Sequence, residues 1–236
     1  PRHSNPTGDI YSDENLSAIM HAGKAYSDEF LFIFDHAYLL HDFLPSANQT
    51  PTWELAQSIG ADDQAAVFCS FSKVTFGGGG LSFATAGKPL FDLLARQRAS
   101  MIVCPDKVNQ MRHLEFLKDK EDVLEHMIKH ADIVRPKFEV AFDALDVLSS
   151  EIGNYQKPTG GYFISYDAKR PIAKRVIELC KDLGVLITPA GSTYPHFHDP
   201  LDSNIRLAPT FLGIEDLKDA MEVFVTAIMI AHQELD

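Results

Sequence analysis

The sequence is poor in several features that define common protein classes. It has only three cysteines, which are far apart and lack the spacing of a zinc site (Cys69, Cys104 and Cys180). No apolar stretch approaches the roughly 18 residues that a membrane-spanning helix needs. Basic residues number 21 against 33 acidic ones, for a net charge of −12. These shortages argue against a disulfide framework, a structural zinc site, a membrane helix and nucleic acid as the main partner.

The remaining composition is typical of a globular protein with a sizeable core. At 236 residues and 45% apolar, the chain can form one large or two smaller domains. The odd number of thiols and the lack of a signal peptide lead us to expect reduced cysteines and a cytoplasmic location. The chain opens at Pro1 without a methionine, so we expect it to be the second part of a longer protein.

Short apolar runs alternate with helical spacing in the first half of the chain. Residues 13–29 have apolar positions at helical spacing behind a polar start. Residues 31–34 and 65–69 are continuous apolar runs, as expected of parallel strands buried on both faces. The runs end at Asp35 and Ser70. Because ligands of open α/β sheets bind beyond the carboxyl ends of the strands, these polar residues mark a candidate site.

The second half of the chain has the pattern of a smaller domain. After an apolar stretch at 101–103, residues 107 to about 150 have helical periodicity, and Pro136 is expected to break or kink that helix. The further predicted elements are strands at 160–165 and 204–209 and helices at 170–183 and 214–234. We therefore predict an α/β fold, with a mostly parallel sheet between helices in residues 1–130 and an α+β domain in residues 131–236.

Three short motifs carry candidate chemistry. Lys73 follows the second apolar run and precedes a glycine run, Gly77–Gly80, where an amine can be desolvated for covalent chemistry. Asn5 opens an Asn-Pro-Thr-Gly turn, and Tyr38 follows Asp35 by three positions. Each motif alone is commonplace: a turn, a strand-end cap or a solvated lysine. Their order and spacing together indicate a binding apparatus for pyridoxal phosphate.

Pyridoxal phosphate chemistry requires an amine, a carboxylate, groups that hold the phenolic oxygen and a cation, and the sequence has a candidate for each. An amine must hold the cofactor and move the proton on the substrate α-carbon, and Lys73 is the candidate. A carboxylate, expected to be buried at the strand end, must pair with the pyridine nitrogen, and Asp35 is the candidate. Asn5 and Tyr38 can hold the phenolic oxygen. Arg206 can bind the substrate α-carboxylate with a two-pronged fork.

These residues resemble the class I aminotransferases of fold type I, and within them a bacterial subgroup of aspartate aminotransferases. Residues 5–8 match the cofactor-contacting turn, Asp35-x-Ala37-Tyr38 the pyridine-binding motif, Ser70-x-x-Lys73 the Schiff-base lysine, and Arg206 the carboxylate-binding arginine. Further matches extend the resemblance over nearly the whole chain (residues 72–83, 105–110 and 160–165). It implies the C-terminal part of the large domain, a small domain entered by a long helix, and a homodimer.

The sequence departs from the family at the phosphate site. Many class I enzymes carry an arginine eight residues after the lysine, and Leu81 occupies that position here. We expect Ser70, Ser82 and the glycine run to contact the phosphate instead. The family's second phosphate loop and its ring-stacking aromatic precede the Asn-Pro-x-Gly turn, and this chain has neither. The single tryptophan, Trp53, is interpreted as packing.

The predicted activity is transamination between an amino acid, with aspartate or glutamate favoured, and a 2-oxo acid such as 2-oxoglutarate. A distal carboxylate needs a second cation, and the sequence does not choose among Arg98, Lys107 and Arg112. Three alternatives remain open: a pyridoxal phosphate-dependent lyase, the aminotransferase-like effector domain of a transcription regulator, and an inactive truncated fragment.

Three other polar groups are interpreted as structural. His196 and His198 lie in a predicted loop beside two prolines, which makes them poor preorganised metal ligands. His36 is expected to pack on the side of its strand away from Asp35. Cys69 is expected to behave as a small buried hydrophobe.

Overall fold

The chain is organised around two three-stranded sheets, one in each of two structural units. The computed structural model describes residues 2–236. The first unit comprises Arg2, Asp9–His41 and Ser46–Met127, and the second comprises His3–Gly8, Asp42–Pro45 and Ile128–Asp236. The short segments 3–8 and 42–45 therefore group with the C-terminal part of the chain. Domain limits at 1–130 and 131–236 stay a prediction, and Pro1 lies outside the described residues.

The sheet of the first unit has the order β1-β2-β3, formed by β1 (Phe32–His36), β2 (Ala65–Ser70) and β3 (Ser82–Ala86). β1 and β2 pair in parallel, with Phe34 opposite Val67. β2 and β3 pair antiparallel, with Ser70 opposite Ser82. The two predicted strands are confirmed, and β3 is a strand that the sequence reasoning missed.

Helices cover one face of this sheet. α1 (Asp13–Tyr26) has Ser12 as its N-cap, and Ser12 Oγ accepts a hydrogen bond from Asn15 N at 3.2 Å. Leu16 and Met20 of α1, together with Leu55 of α2 (Thr52–Ser58), form a core with the apolar side chains of β1 and β2. On β1 the residues alternate, so that Phe32, Phe34 and His36 are buried while Ile33 and Asp35 are exposed. The prediction that this strand is buried on both faces is wrong for the described residues, because helices pack on one face only.

Three further helices follow the first sheet. α3 (Lys88–Met101) has no buried residue, and the apolar stretch at 101–103 covers its last residue and the exposed segment that follows. α4 (Lys107–Phe116) begins at Asp106, whose carboxylate accepts a hydrogen bond from Asn109 N at 2.9 Å. α5 (Lys120–Leu145) continues through Pro136. Of the two outcomes expected at Pro136, a break is therefore wrong and a kink stays a prediction, while the helical region is interrupted at residues 117–119.

The second unit has an antiparallel sheet packed against helices. The strands β4 (Gly153–Tyr155), β5 (Ile164–Ala168) and β6 (Asn204–Leu207) pair in that order. α6 (Ala173–Asp182) and α7 (Ile214–Gln233) complete the unit. Phe138, Tyr166 and Phe224 are the largest of its fully buried side chains. The predicted α+β architecture of this part of the chain is confirmed.

Candidate active site

Lys73 lies in the turn that follows β2 and leads to the glycine run. Its Nζ atom is 5.0 Å from the centroid of the Tyr38 ring. Tyr38 is 7% exposed, whereas Lys73 is exposed, so the ammonium group lies over a fixed aromatic surface. The structure thus brings together two of the residues that the sequence predicted, although 35 positions separate them.

Three other predicted residues share one face of the first sheet. Ser70 is directly opposite Ser82, and Phe68, two residues before Ser70, is opposite Asp35. Because alternate residues of a strand face the same side, the side chains of Asp35, Ser70 and Ser82 project from the same face. The Asp35 carboxylate accepts a hydrogen bond from Ala37 N at 3.1 Å. Asp35 is exposed, so the expectation of a buried carboxylate is wrong for the described residues.

A cluster of serine hydroxyls forms at the end of β2. Ser70 Oγ lies 2.7 Å from Ser72 Oγ and accepts a hydrogen bond from Ser72 N at 3.0 Å. Sequence reasoning missed Ser72, although its position two residues after Ser70 was a usable signal. Gly80 lies against this serine, because a Cβ atom at Gly80 would be only 2.5 Å from the Cα, N and Oγ atoms of Ser72. The close approach requires glycine.

Leu81, which stands where many family members have an arginine, takes part in the fold through its backbone carbonyl. Leu81 O accepts a hydrogen bond from Phe71 N at 2.8 Å, which closes the base of the loop between β2 and β3. Gly79 O accepts a hydrogen bond from Asn109 Nδ2 at 2.7 Å. The glycine run is therefore fixed to α4 at one point and remains exposed at Gly77 and Gly78.

An apolar cavity of about 270 Å³ lies beside the Lys73 turn. Its lining includes His36, Cys69 and Phe83, whose side chains project from the face of the sheet opposite Asp35, and also Ser70. Burial lowers the pKa of His36 to about 4, and its Nε2 lies 2.9 Å from Thr52 Oγ1. Burial also raises the pKa of the Cys69 thiol, and the charge of Asp35 adds to that rise. A neutral imidazole and a protonated thiol fit the structural interpretation of both residues.

The remaining two predicted residues meet in the second unit. Arg206 of β6 donates from Nη1 to Asn5 Oδ1 at 3.1 Å and from Nη2 to Thr188 Oγ1 at 3.3 Å. Its guanidinium carbon lies 4.7 Å from the centroid of the Phe163 ring. Arg206 Nε is buried and has no hydrogen-bond partner among residues 2–236. Thr188 and Phe163 were missed as site residues, although Phe163 belongs to the Gly-Gly-Tyr-Phe stretch at 160–163.

The Asn5 turn has a conformation that depends on its glycine. The Asn5–Pro6 peptide bond is cis, and Gly8 N donates to Ser4 O at 2.6 Å. Gly8 has φ +74°, and a Cβ atom there would lie 2.5 Å from Pro158 Cβ. A side chain at Gly8 would both strain the backbone and displace Pro158.

Other candidate groups do not converge in the structure. Within residues 2–236 there is no cluster of three or more His, Cys, Asp or Glu side chains that could hold a metal ion. His196 and His198 are exposed around the short 3-10 helix Pro195–Phe197, and the Asp199 carboxylate accepts hydrogen bonds from Ser203 N and Asn204 N. The three candidate cations for a distal carboxylate are all exposed (Arg98, Lys107 and Arg112). Among residues 2–236 no helix is long and apolar enough to cross a membrane.

Comparison with known proteins decides the family. The family profile described as Aspartate amino-transferase matches residues 1–235. The chain belongs to the aspartate aminotransferase family. This membership confirms the resemblance seen in the motifs and the prediction of a fold type I architecture.

Individual relatives agree with the family assignment. A putative aminotransferase of Mycolicibacterium smegmatis is 36% identical over 237 residues, which cover 99% of this chain and 55% of the relative. The crystal structure of an aspartate transaminase from Corynebacterium glutamicum superposes with a TM-score of 0.93 at 32% identity, covering 99% of this chain and 56% of the other. A more distant match is the HTH-type transcriptional regulator NorG of Staphylococcus aureus, 24% identical over 230 residues, or 97% of this chain and 49% of the regulator. The chain spans about half the length of the curated relatives it matches.

Proposed function

We propose that the protein is a pyridoxal phosphate-dependent aminotransferase. The observation that carries the proposal is the position of the Lys73 amine over the Tyr38 ring. Lys73 follows the end of β2, in a sheet from one face of which Asp35 and Ser82 both project. Family membership supplies the reaction class. A homodimer, implied by the resemblance, and a cytoplasmic location, expected from the cysteine pattern, belong to the same proposal.

The residues present fit this cofactor. The hydroxyls of Ser70, Ser72 and Ser82 offer hydrogen-bond donors for a phosphate, and the close approach of Gly80 fixes the backbone of Ser72 beside them. Asp35 is an exposed anion on that face, available to a protonated pyridine nitrogen. When bound, the cofactor ring supplies an electron sink for the electrons left on the substrate α-carbon after its proton departs.

Lys73 and Asp35 are proposed to divide the proton chemistry. Lys73 Nζ holds the cofactor at rest and, once released, takes the proton from the substrate α-carbon and returns it as a general acid. Asp35 keeps the proton on the pyridine nitrogen by opposing it with a negative charge. Tyr38 supports Lys73 with its ring, and its hydroxyl group can donate to the phenolic oxygen of the cofactor.

Arg206 is proposed to bind the substrate α-carboxylate. Asn5, Thr188 and Phe163 fix the plane of its guanidinium group, so the fork is oriented before substrate arrives. Because Asn5 Oδ1 accepts from Arg206, Asn5 Nδ2 remains as a donor, either to a carboxylate oxygen or to the phenolic oxygen of the cofactor. Asn5 is therefore proposed to have two roles: it positions Arg206, and it contacts the substrate or the cofactor directly.

The substrate pair is proposed to be aspartate or glutamate with 2-oxoglutarate. The family description and the aspartate transaminase at 32% identity support this choice. Turnover of aspartate, alanine and phenylalanine by the purified protein tests it. We expect aspartate to give the highest kcat/KM, and a preference for phenylalanine would refute the choice.

Trapping with borohydride tests the role of Lys73. The protein is incubated with pyridoxal phosphate, reduced, digested and mapped by mass spectrometry, and we expect the covalent label on Lys73. Lys73→Ala should abolish the label and the accompanying visible absorbance. Lys88→Ala removes an exposed lysine that pairs with Asp92 and serves as the matched control. Retention of a reducible cofactor attachment in Lys73→Ala would contradict the assignment.

A second candidate function is favoured by the match to NorG. NorG is an HTH-type transcriptional regulator, and 97% of this chain aligns with about half of it. Under this alternative the protein would be the effector-binding half of a regulator and would bind an effector without turnover. Measurable transamination with aspartate and 2-oxoglutarate excludes this alternative. Ligand binding without turnover, together with sequence-specific DNA binding by the longer protein, would favour it.

A further inference from the structure

Three histidines of the first unit contact three consecutive residues of the Lys73 turn. His41 Nε2 lies 3.1 Å from Lys73 O, and His126 Nε2 lies 2.6 Å from Val74 O. His113 Nε2 lies 2.7 Å from Thr75 Oγ1. These contacts come from three different parts of the chain: the segment after β1, the last turn of α4 and the first turns of α5.

Each of these imidazole rings also packs edge-on against an aromatic ring. The pairs are Tyr38 with His41, Phe76 with His113, and Phe116 with His126, with centroid separations of 5.5, 5.3 and 5.2 Å and interplanar angles of 76–78°. His41 and His113 are 3% and 5% exposed. Edge-to-face packing and burial restrict the rings, so the nitrogen atoms are aimed at the turn.

The identity of the acceptors determines which nitrogen carries hydrogen. A carbonyl oxygen only accepts, so His41 and His126 must donate from Nε2. His113 Nδ1 donates to Asn109 O at 2.9 Å for the same reason. Thr75 Oγ1 also donates to Phe71 O at 3.1 Å, so its hydroxyl group is shared between Phe71 O and His113 Nε2. His41 and His126 thus act as donors to the turn, and His113 contacts it through the Thr75 hydroxyl.

Both backbone and side-chain hydrogen bonds hold the turn. Val74 N and Thr75 N both donate to Phe71 O at 2.9 Å, and Thr75 Oγ1 donates to the same oxygen at 3.1 Å, which closes a single turn. The carbonyl groups of Lys73 and Val74 point away from that turn to His41 and His126. A carbonyl held in this way fixes the rotation of its peptide plane, and hence the direction in which the Lys73 side chain leaves the backbone.

We propose that His41, His113 and His126 are positioning residues that fix the Lys73 turn and so aim the Lys73 amine at its target. The fixing of the turn is independent of the reaction, whereas the aiming of the amine rests on the proposed function. The imidazoles act through the backbone of residues 73–75 and touch no reacting atom. Displacement of a reacting group by about 1 Å can cost on the order of 100-fold in rate, so a fixed turn matters for proton transfer.

The test separates the hydrogen bond from the ring packing at each position. His126→Phe and His41→Phe keep an aromatic ring and remove the N–H donor, whereas His126→Gln and His41→Gln keep an N–H donor and remove the ring. His21→Phe, at an exposed position of α1, is the matched control. The primary measurement is hydrogen exchange at the amides of residues 73–76 in the cofactor-free protein, with β1 and β2 amides as internal reference.

We expect the Phe variants to exchange about tenfold faster at residues 73–76, since a buried hydrogen bond contributes about 1 kcal/mol and leaves its partner unsatisfied when lost. The Gln variants should remain close to the original rates, and His21→Phe should change nothing. Unchanged exchange in the Phe variants, or equal acceleration in the Phe and Gln variants, would overturn the proposal. If His126→Phe fails to fold, the two His41 variants test the proposal through the contact at Lys73 O.

A second measurement links the turn to Lys73 itself. The rate at which trinitrobenzenesulfonate modifies Lys73 should differ from the original rate in the Phe variants. In the Gln variants it should equal the original rate, and the rate of labelling of Lys88 should be the same in all the proteins. In the cofactor-loaded protein, kcat should fall at least about tenfold in the Phe variants with KM for the amino acid nearly unchanged. A protein that shows the exchange pattern but has no transaminase activity would refute the proposed function and leave the positioning of the turn intact. A kcat that stays constant while exchange accelerates would overturn the aiming step.

Discussion

Arg206 donates to Asn5 across 201 positions of sequence, at 3.1 Å from Nη1 to Oδ1. The contact joins the turn at the start of the described chain to the last strand of the second unit. It also leaves the guanidinium group with a fixed plane, since Thr188 Oγ1 and the Phe163 ring hold its other side. A rigid fork is what bidentate recognition of a carboxylate requires.

Arg206→Lys is expected to raise KM for the amino acid about 10- to 100-fold, because a lysine has no planar fork and loses the stacking on Phe163. The measurement is steady-state kinetics with aspartate and 2-oxoglutarate. Arg170→Lys, which replaces a guanidinium group whose Nη1 donates to His232 O in α7 and to Asp236 Oδ1, is the matched control and should leave KM unchanged. An Arg206→Lys enzyme with an unaltered KM would show that another group binds the carboxylate.

Gly80→Ala should destabilise the protein, whereas Gly77→Ala should not. A Cβ atom at Gly80 would clash with the backbone of Ser72 at 2.5 Å, whereas at Gly77 nothing lies within 4 Å. We expect Gly80→Ala to lower the free energy of unfolding by about 1–3 kcal/mol. Gly77→Ala should be neutral or stabilising by up to about 1 kcal/mol, because it restricts the unfolded chain. Urea denaturation measures both, and equal losses would mean that the Gly80–Ser72 approach is absent in solution.

The sequence predicted those parts of the fold in which one local signal dominates. The strands at 32–36 and 65–70 could be identified because short continuous runs of apolar, β-prone residues are typical of buried strands. Their parallel pairing places Asp35 and Ser70 on one face. β3 was missed because its side chains are mostly exposed and give no clear alternation. α3 was also missed, and none of its residues is buried.

The candidate site was predictable where motifs fix spacing and unpredictable where loop conformation decides. Asn5, Tyr38, Lys73 and Arg206 belong to motifs, and the structure pairs Tyr38 with Lys73 and Asn5 with Arg206. Thr188 reaches Arg206 from a segment without regular structure. The three histidines at the Lys73 turn converge from separate elements. Such contacts depend on where whole elements pack, and no local pattern encodes that.

His36 should make the protein lose stability in mild acid. Burial lowers the pKa of His36 to about 4 from 6.5, so between these values the unfolded chain binds a proton that the folded chain does not. The free energy of unfolding therefore falls as the pH drops from about 6.5 to 4, by up to roughly 3 kcal/mol. His36→Gln keeps a polar partner for Thr52 and removes the titration. Urea unfolding at several pH values should show a shallower pH dependence in His36→Gln than in the original protein, while His21→Gln, at an exposed position, should follow the original. Parallel curves for all three would contradict the neutral state of His36.

Ser72→Ala should weaken the binding of pyridoxal phosphate selectively. The Ser72 hydroxyl lies 2.7 Å from Ser70 Oγ beside the closely approaching Gly80, so its removal deletes one donor to a phosphate and leaves Ser70 without its neighbour. We expect the apparent Kd for pyridoxal phosphate to rise about five- to tenfold, the equivalent of one hydrogen bond to a charged group. Pyridoxal, which lacks the phosphate, should bind the variant and the original protein equally, and Ser100→Ala at an exposed position of α3 should change neither ligand. Titrations followed by visible absorbance provide these values. An equal loss for both ligands would mean that Ser72 supports the Lys73 turn in general, because only a phosphate contact discriminates between the two aldehydes.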